Sequence, residues 1–498
     1  MATYEFVLMI APVLLVWYFA IRRGKKPSEP TTWPVLGMLP AVLLNLHRVH
    51  DYATEVLTEC GGTYRVVGPR MDMLFTSAPA CDPANIHHVF SRNFSNYSKG
   101  PEFHKIFDIF SDDIFRAYFE LWEIHRKTTL AQLMHGDFNA NLQRNVWHKV
   151  DTGLFPVLDH FSGARTDLDL QDIFQRLAFD NICKFVLDYD PCSLRPDLPF
   201  LPCEKAFSAV MEALLHRHVF PEWMWKLQKW LNVSDERNLA KAAVAFDDFI
   251  YPRIISGVNV LKAFEKVYRE RNMASSNGSL RDFLKDTSLN LMFAGRDLTS
   301  TCLTWLFWLV SQNPASETKI LEEMEAELRL KEDKKFRFFS AQESHKLVEM
   351  YLHGALCESL RLFPPVALEH KAPVRPDILS SGHHLHGDKK LIISFYSVGR
   401  MESVWGKDYL EFKPERWISP SGKIKYEPSY KFPAFSAGRP RTCLGKEMAF
   451  VQMKTVAAAI LYRYMVRLVE GHRVSPRVLI TLQARDGLKV LLSKRNWI

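Results

Sequence analysis

Cys443 stands in the stretch Phe435-Ser436-Ala437-Gly438-Arg439-Pro440-Arg441-Thr442-Cys443-Leu444-Gly445-Lys446, a loop that runs straight into residues with helical spacing, 446 to 463. Delivering one thiol to a helix start constrains the chain strongly, because free backbone N–H groups and the positive end of the helix dipole favour a thiolate there. Gly445 lets the backbone approach a flat cofactor, Arg441 offers planar donors to a carboxylate, and Gly438 permits a tight turn without a Cβ clash. Taken alone, the stretch reads first as a buried free cysteine in a turn. The rest of the chain reverses that reading.

Of 498 residues, 47% are hydrophobic and 12% aromatic, ample for a large core, which excludes a disordered chain. The eight cysteines form no C-x-x-C pair and no regular spacing, which argues against a disulfide framework or a structural zinc site and suggests a reducing compartment. The net charge of +8 is spread along the chain, a mild match to an anionic membrane surface, and no nucleic-acid motif accompanies it.

Phe6 to Ile21 is an apolar run of sixteen, followed at once by Arg22, Arg23, Lys25 and Lys26. The basic cluster follows the run and no small-residue cleavage site precedes it, so residues 1–21 are expected to form an uncleaved transmembrane anchor with residues 22–498 on the cytosolic side. Residues 22–40 form a basic, proline-rich connector carrying Pro27, Pro30, Pro34 and Pro40. No second linker or repeat follows, and one catalytic domain over 41–498 is the simplest division.

Strand-like alternation appears at 63–67, 73–76, 391–394 and 488–492. Helical periodicity covers 50–59, 119–134, 167–188, 203–217, 236–270, 284–312, 315–329, 345–362 and 446–463. The expected class is mainly α with small β-sheets.

Three constellations lie upstream of the cysteine loop. Trp122 and Arg126 are four apart and share one helix face. Glu358 and Arg361, followed by Phe363-Pro364-Pro365, have a partner stretch in Phe412-Lys413-Pro414-Glu415-Arg416-Trp417. A buried Glu358, Arg361 and Arg416 triad would be costly to break, so these residues are read as scaffold. Leu291 to Gln312 is a long apolar helix interrupted by Ala294-Gly295-Arg296-Asp297-Leu298-Thr299-Ser300, polar residues that lower its stability and need compensation.

Together, in this order, these motifs resemble cytochromes P450, and the resemblance covers nearly the whole chain. It implies the P450 fold and a haem b whose iron takes Cys443 as axial thiolate, a ligand that favours O–O cleavage. Trp122, Arg126, Gly295, Arg441 and Gly445 would complete the haem site, with Trp122 and Arg126 reaching a propionate and Gly295 making room for dioxygen. Asp297 would aid proton delivery, with Thr299 and Thr301 as further catalytic candidates. The partners implied are dioxygen, NADPH-cytochrome P450 reductase and a hydrophobic small molecule, at the endoplasmic reticulum membrane.

The segments Trp33 to Pro40, Ala294 to Asp297, Tyr396 to Met401 and Gln452-Met453-Lys454 resemble the plant branch that hydroxylates fatty acids and alkanes, nearest to its mid-chain alkane hydroxylases. By family position, substrate contacts fall near Phe103 to Phe119, Phe220 to Trp230, Ala294, Leu298, Val366 to Leu368 and Leu482.

Three features depart from the pattern. Leu298 stands where the family carries the threonine whose hydroxyl assists protonation of activated oxygen. Arg439 reads as one residue inserted between Gly438 and Pro440, and the region Val267 to Leu284 is shorter than in the relatives. The expected activity is hydroxylation of a long-chain alkane or fatty acyl chain. Leu298 keeps oxidative phenol coupling without oxygen insertion open, as in alkaloid-forming members, and the three departures together keep open a haem-binding protein with little turnover.

Overall fold

The computed structural model describes residues 32–33, 36–68, 71–76, 84–110, 114, 119–254, 259–273, 279–328, 351–387, 389–438, 440–477 and 479–495. The expected anchor at 1–21, most of the 22–40 connector and Arg439 lie outside the described residues. Among those described, no helix is long and apolar enough to cross a membrane.

Fourteen described helices have seven residues or more: α1 Val49–Glu59, α2 Gly100–Ile106, α3 Phe119–Leu133, α4 Phe138–Lys149, α5 Phe155–Ala164, α6 Leu170–Leu187, α7 Pro202–Val219, α8 Glu222–Leu231, α9 Ser234–Ile250, α10 Asn259–Glu270, α11 Leu280–Gln312, α12 Pro314–Leu328, α13 Tyr351–Leu362 and α14 Lys446–Arg463. The strands are β1 Thr63–Gly68, β2 Met71–Thr76, β3 Tyr97–Ser98, β4 Leu168–Asp169, β5 Leu368–Pro373, β6 Asp377–Ile378, β7 His384–Leu385, β8 Lys390–Ser394, β9 Tyr464–Leu468 and β10 Lys489–Lys494. They form sheets of order β1-β2-β8-β5-β3, β4-β10-β9 and β6-β7. The class is mainly helical with small sheets, as the periodicity predicts.

α11 organises the interior. Ser279 caps it by accepting from the Asp282 backbone N–H at 3.2 Å, and Asn313-Pro314 ends it. At 33 residues it is about 50 Å long and packs along α6. A Cβ on Gly295 would lie 2.5 Å from Ile182 Cδ1 of α6, so the glycine sets how closely the two helices approach. The sequence expectation gave that space to dioxygen, whereas the structure gives it to Ile182.

α13 is buried along its whole length, which explains how it tolerates charge: its Glu358 and Arg361 satisfy each other and the neighbouring chain. Arg361 Nε and Nη2 donate to Glu358 at 2.8 and 2.7 Å, and the remaining donors reach the carbonyls of Gly399, Tyr409 and Glu411. Glu358 also accepts from Trp417 Nε1 at 2.8 Å, with Arg416 Nε at 3.4 Å. The triad ties α13 to the loop that leads into the cysteine stretch.

Two boundaries differ from the sequence reading. The periodicity over 236–270 resolves into α9 and α10, and the 345–362 stretch is a helix from Tyr351, residues 345–350 lying outside the described set.

Candidate active site

The cysteine loop is closed by a hydrogen bond from the Cys443 N–H to the Phe435 carbonyl at 2.9 Å, spanning Arg439. Gly438 sits at φ +155°, and a Cβ there would come 2.6 Å from Ser91 Oγ. Gly445 stands directly before α14 and leads the loop into it.

Cys443, Gly445, Arg441 and Thr442 line one wall of a cavity of 350 Å³. From α11 the cavity takes Asn290, Leu291, Ala294, Gly295, Leu298, Thr299 and Cys302, a stripe at three- and four-residue spacing along one helix face. Met448, Gln452 and Met453 of α14 and Pro365, Val366 and Phe395 complete much of the rest. Cys443 has exposed surface facing this cavity, while the protein packed around it pushes the thiol pKa up by burial, opposed by the Gly445 N–H, Arg126 and Lys446.

Charge gathers on the cavity wall in one sign. Arg126 of α3 donates from Nη1 to the Thr442 carbonyl at 2.9 Å, and the Arg441 guanidinium lies 4.6 Å from the Trp122 ring centre. Burial lowers the Arg126 pKa, opposed by Cys443. Lys99 and Lys371 also line the cavity, both close to Glu369 of β5, which is the one carboxylate on the described wall. Lys371 is 1% exposed, and burial lowers its pKa to about 7 against the pull of Glu369, with Lys99 and Arg441 adding repulsion.

Four cations against one carboxylate is an imbalance that a bound group with two carboxylates would relieve. A Cβ on Gly445 would meet no protein atom within 4 Å, in keeping with a flat group lying against the loop. The residues present therefore fit haem, with Cys443 available to the iron and Arg126, Arg441, Lys99 and Lys371 to the propionates. Lys99, Glu369 and Lys371 were missed by the sequence reading. They are scattered singly, and only the pairing of β5 with β8 and β3 brings them to the wall.

Trp122, Arg126, Gly295, Thr299, Arg441, Cys443 and Gly445 all reach the cavity. Asp297 and Thr301 do not. The stripe of residues four apart runs Ala294, Leu298, Cys302, so Cys302 and not Thr301 is the next residue along the wall. Asp297 is fully buried on the flank, ion-paired to Arg296, and burial raises its pKa while Arg296 opposes the rise. Its Oδ2 and Thr301 Oγ1, one turn apart, make no hydrogen bond. Of the expected substrate contacts, Ile114, Ala294, Leu298 and Val366 line the cavity. Leu482 is buried elsewhere, where its carbonyl accepts from Trp305 Nε1 at 2.6 Å.

The chain is 40% identical to noroxomaritidine synthase of Narcissus aff. pseudonarcissus MK-2014 over 95% of this chain and 93% of that protein. It is 39% identical to the alkane hydroxylase MAH1 of Arabidopsis thaliana over 97% of each chain, and 37% identical to cytochrome P450 86B1 of the same plant over 98% of this chain and 90% of that one. The cytochrome P450 family pattern matches residues 27–484, a span that takes in every residue of the cavity wall. A thiol on a closed loop, a glycine-floored slot and an excess of cations have one common explanation in that match: the chain belongs to the cytochrome P450 family.

Proposed function

We propose that this enzyme hydroxylates a long-chain aliphatic substrate, an alkane or a fatty acyl chain, with dioxygen and electrons from NADPH-cytochrome P450 reductase, Cys443 serving as the axial ligand. The observation that carries the reading is the wall away from the cations: Ile114, Leu291, Ala294, Leu298, Pro365 and Val366 offer it no charge. Each buried methylene of a substrate gains about 0.8 kcal/mol against such a wall. The likeness to MAH1 supports the same substrate class.

Haem, when bound, supplies the activation of dioxygen, and the protein supplies orientation and protons. Arg126, Arg441, Lys99 and Lys371 hold the carboxylate edge. Leu298 presents a methyl surface where the family has a hydroxyl and keeps water from that position. Thr299, its neighbour on the same wall, carries the hydroxyl that remains, so Thr299 Oγ1 is the atom that passes a proton to the oxygen side of the cavity.

Leu298 also favours a second reading, oxidative phenol coupling, which needs electron and hydrogen-atom removal but no oxygen insertion. The likeness to noroxomaritidine synthase supports it. Incubation with a panel of alkanes, fatty acids and phenols under oxygen-18 separates the two. Hydroxylation places one labelled atom in the product, whereas an unlabelled product joined by a new bond between rings replaces the first reading with the second.

The enzyme is placed at the endoplasmic reticulum membrane by residues 1–21 as anchor, with the catalytic domain cytosolic. Support comes from the apolar run followed by Arg22 to Lys26, and from the exposed apolar side chains Leu43, Leu44, Trp223 and Trp230.

A further inference from the structure

Arg296 is among the largest side chains fully enclosed in the protein, and it lies between two carboxylates. Its Nη1 donates to Asp297 Oδ1 on the same helix, and its Nη2 donates to Glu204 Oε1 from the first turn of α7. The guanidinium carbon stands 5.3 Å from the Phe207 ring centre, also on α7, so the cation is sandwiched between two helices and has no water to exchange with. Three charges buried together in this way are costly unless their geometry is held, and the hold comes from α7.

Glu204 has a second partner. Its Oε2 is 3.1 Å from Lys205 Nζ, and Lys205 in turn donates to Asp172 Oδ1 of α6 at 2.6 Å, where Arg176 Nε donates to Asp172 Oδ2 at 2.7 Å. Lys205 and Asp172 are partly exposed, so the chain of charges runs from the flank of the cavity helix to solvent. At its inner end are two buried oxygens without a hydrogen bond, Asp297 Oδ2 and Thr301 Oγ1, and Arg296 Nε is likewise unsatisfied.

We propose that Glu204 is a positioning residue for the acid of the cavity helix: by taking a share of the Arg296 guanidinium, it sets how tightly that guanidinium holds Asp297. The seating of α7 on α11 is thereby coupled to the readiness of Asp297 to take up and release a proton, and Arg296 is the element through which the coupling acts. The groups facing this cluster are few. Arg296 and Glu204 act on Asp297, Lys205 acts on Glu204 from α7, and the Cys203 thiol of α7 and Arg253, after α9, lie beside them. On α6, Asp172 and Arg176 are occupied with each other and with Lys205.

The charge logic fixes the sign. With Glu204 ionised, its negative charge raises the pKa of Asp297 and competes for Arg296. Neutralising Glu204 leaves Arg296 wholly to Asp297, which then stays ionised to lower pH. Removing Lys205 takes away a cation and acts in the opposite direction.

This inference rests on the oxygenation reading only for its purpose and not for its test. The full haem-loaded chain is titrated by infrared spectroscopy, the Asp297 carboxyl being identified by its disappearance in Asp297→Asn, and the pH profile of coupling between NADPH use and product is recorded beside it. In Glu204→Gln the Asp297 midpoint and the coupling profile both shift to lower pH, Glu204→Asp restores them, and Lys205→Gln, a partly exposed site that spares the fold, shifts them to higher pH. Wild-type midpoint and profile in Lys205→Gln and in folded Glu204→Gln overturn the proposal. A profile lost for want of a substrate, with the infrared shifts intact, counts against the substrate reading and leaves this inference standing.

Discussion

The ammonium of Lys371 stands 3.4 Å from Glu369 Oε1, too far for a good hydrogen bond, in a place where burial has already lowered its pKa to about 7. A lysine so placed is half charged near neutrality, and a propionate beside it would hold the proton on. Binding of haem therefore takes up a proton above pH 7. By linkage, affinity falls as pH rises from about 7 toward the raised pKa of the complex. Haem transfer to a scavenger protein, followed across pH, should show this slope in the wild type. Lys371→Met should abolish the slope and weaken retention by about 1.5–3 kcal/mol, roughly ten- to a hundredfold.

Glu358 and Arg361 carry no chemistry, yet their loss should be the most damaging to folding. Arg361 is fully buried and every one of its bonds depends on Glu358 and three carbonyls holding their places. Glu358→Gln leaves a buried guanidinium without a counter-charge, at about 3–5 kcal/mol. Thermal unfolding of the variant should show the loss, and an unchanged midpoint would contradict the scaffold role.

Replacing the sulfur is the direct test of the axial ligand. Cys443→Ala should bind haem more weakly and lose the ferrous–CO absorption band characteristic of thiolate ligation. The variant keeps the Phe435 to Cys443 backbone bond, so the loop persists and the change is confined to the ligand. A band that stays in its usual place would assign the thiolate to another cysteine.

The parts of this protein that were legible in the sequence are those where neighbours in the chain are neighbours in space. Trp122 with Arg126, Glu358 with Arg361 and Arg441 with Cys443 each sit within one turn or one loop, so spacing alone revealed them. Lys99, Glu369 and Lys371 were invisible because Lys99 and β5 are brought together by a strand pairing, Tyr97 with Pro373, that links residues far apart in sequence. Helices α2, α4, α5 and α8 escaped for a different reason: α4 and α8 mix aromatic and polar residues with no long apolar stripe, and α2 is only seven residues long. The misreading of Thr301 was one of helical phase. Four residues, not three, separate successive contacts along the cavity stripe, and a hydroxyl one position off the stripe is turned into the protein.

Leu298 and Thr299 present a final contrast that function should register. Both line the cavity, but only the second carries a hydroxyl, and it sits about 100° round the helix from the first. If hydroxylation is the native reaction and Thr299 passes the proton, Thr299→Val should lower the ratio of product to NADPH by about a hundredfold, the usual lower bound for losing a positioned acid. Leu298→Thr adds a hydroxyl at the position the family uses, and should raise the same ratio while leaving substrate dissociation within about threefold, since the two side chains differ by little volume. In a phenol-coupling enzyme neither change acts through proton supply to an inserted oxygen, so the ratio should stay flat for Thr299→Val and fall for Leu298→Thr, where a polar group enters an apolar wall. Measuring both variants in one set of product and NADPH assays therefore distinguishes the reactions by the sign of the response at residue 298.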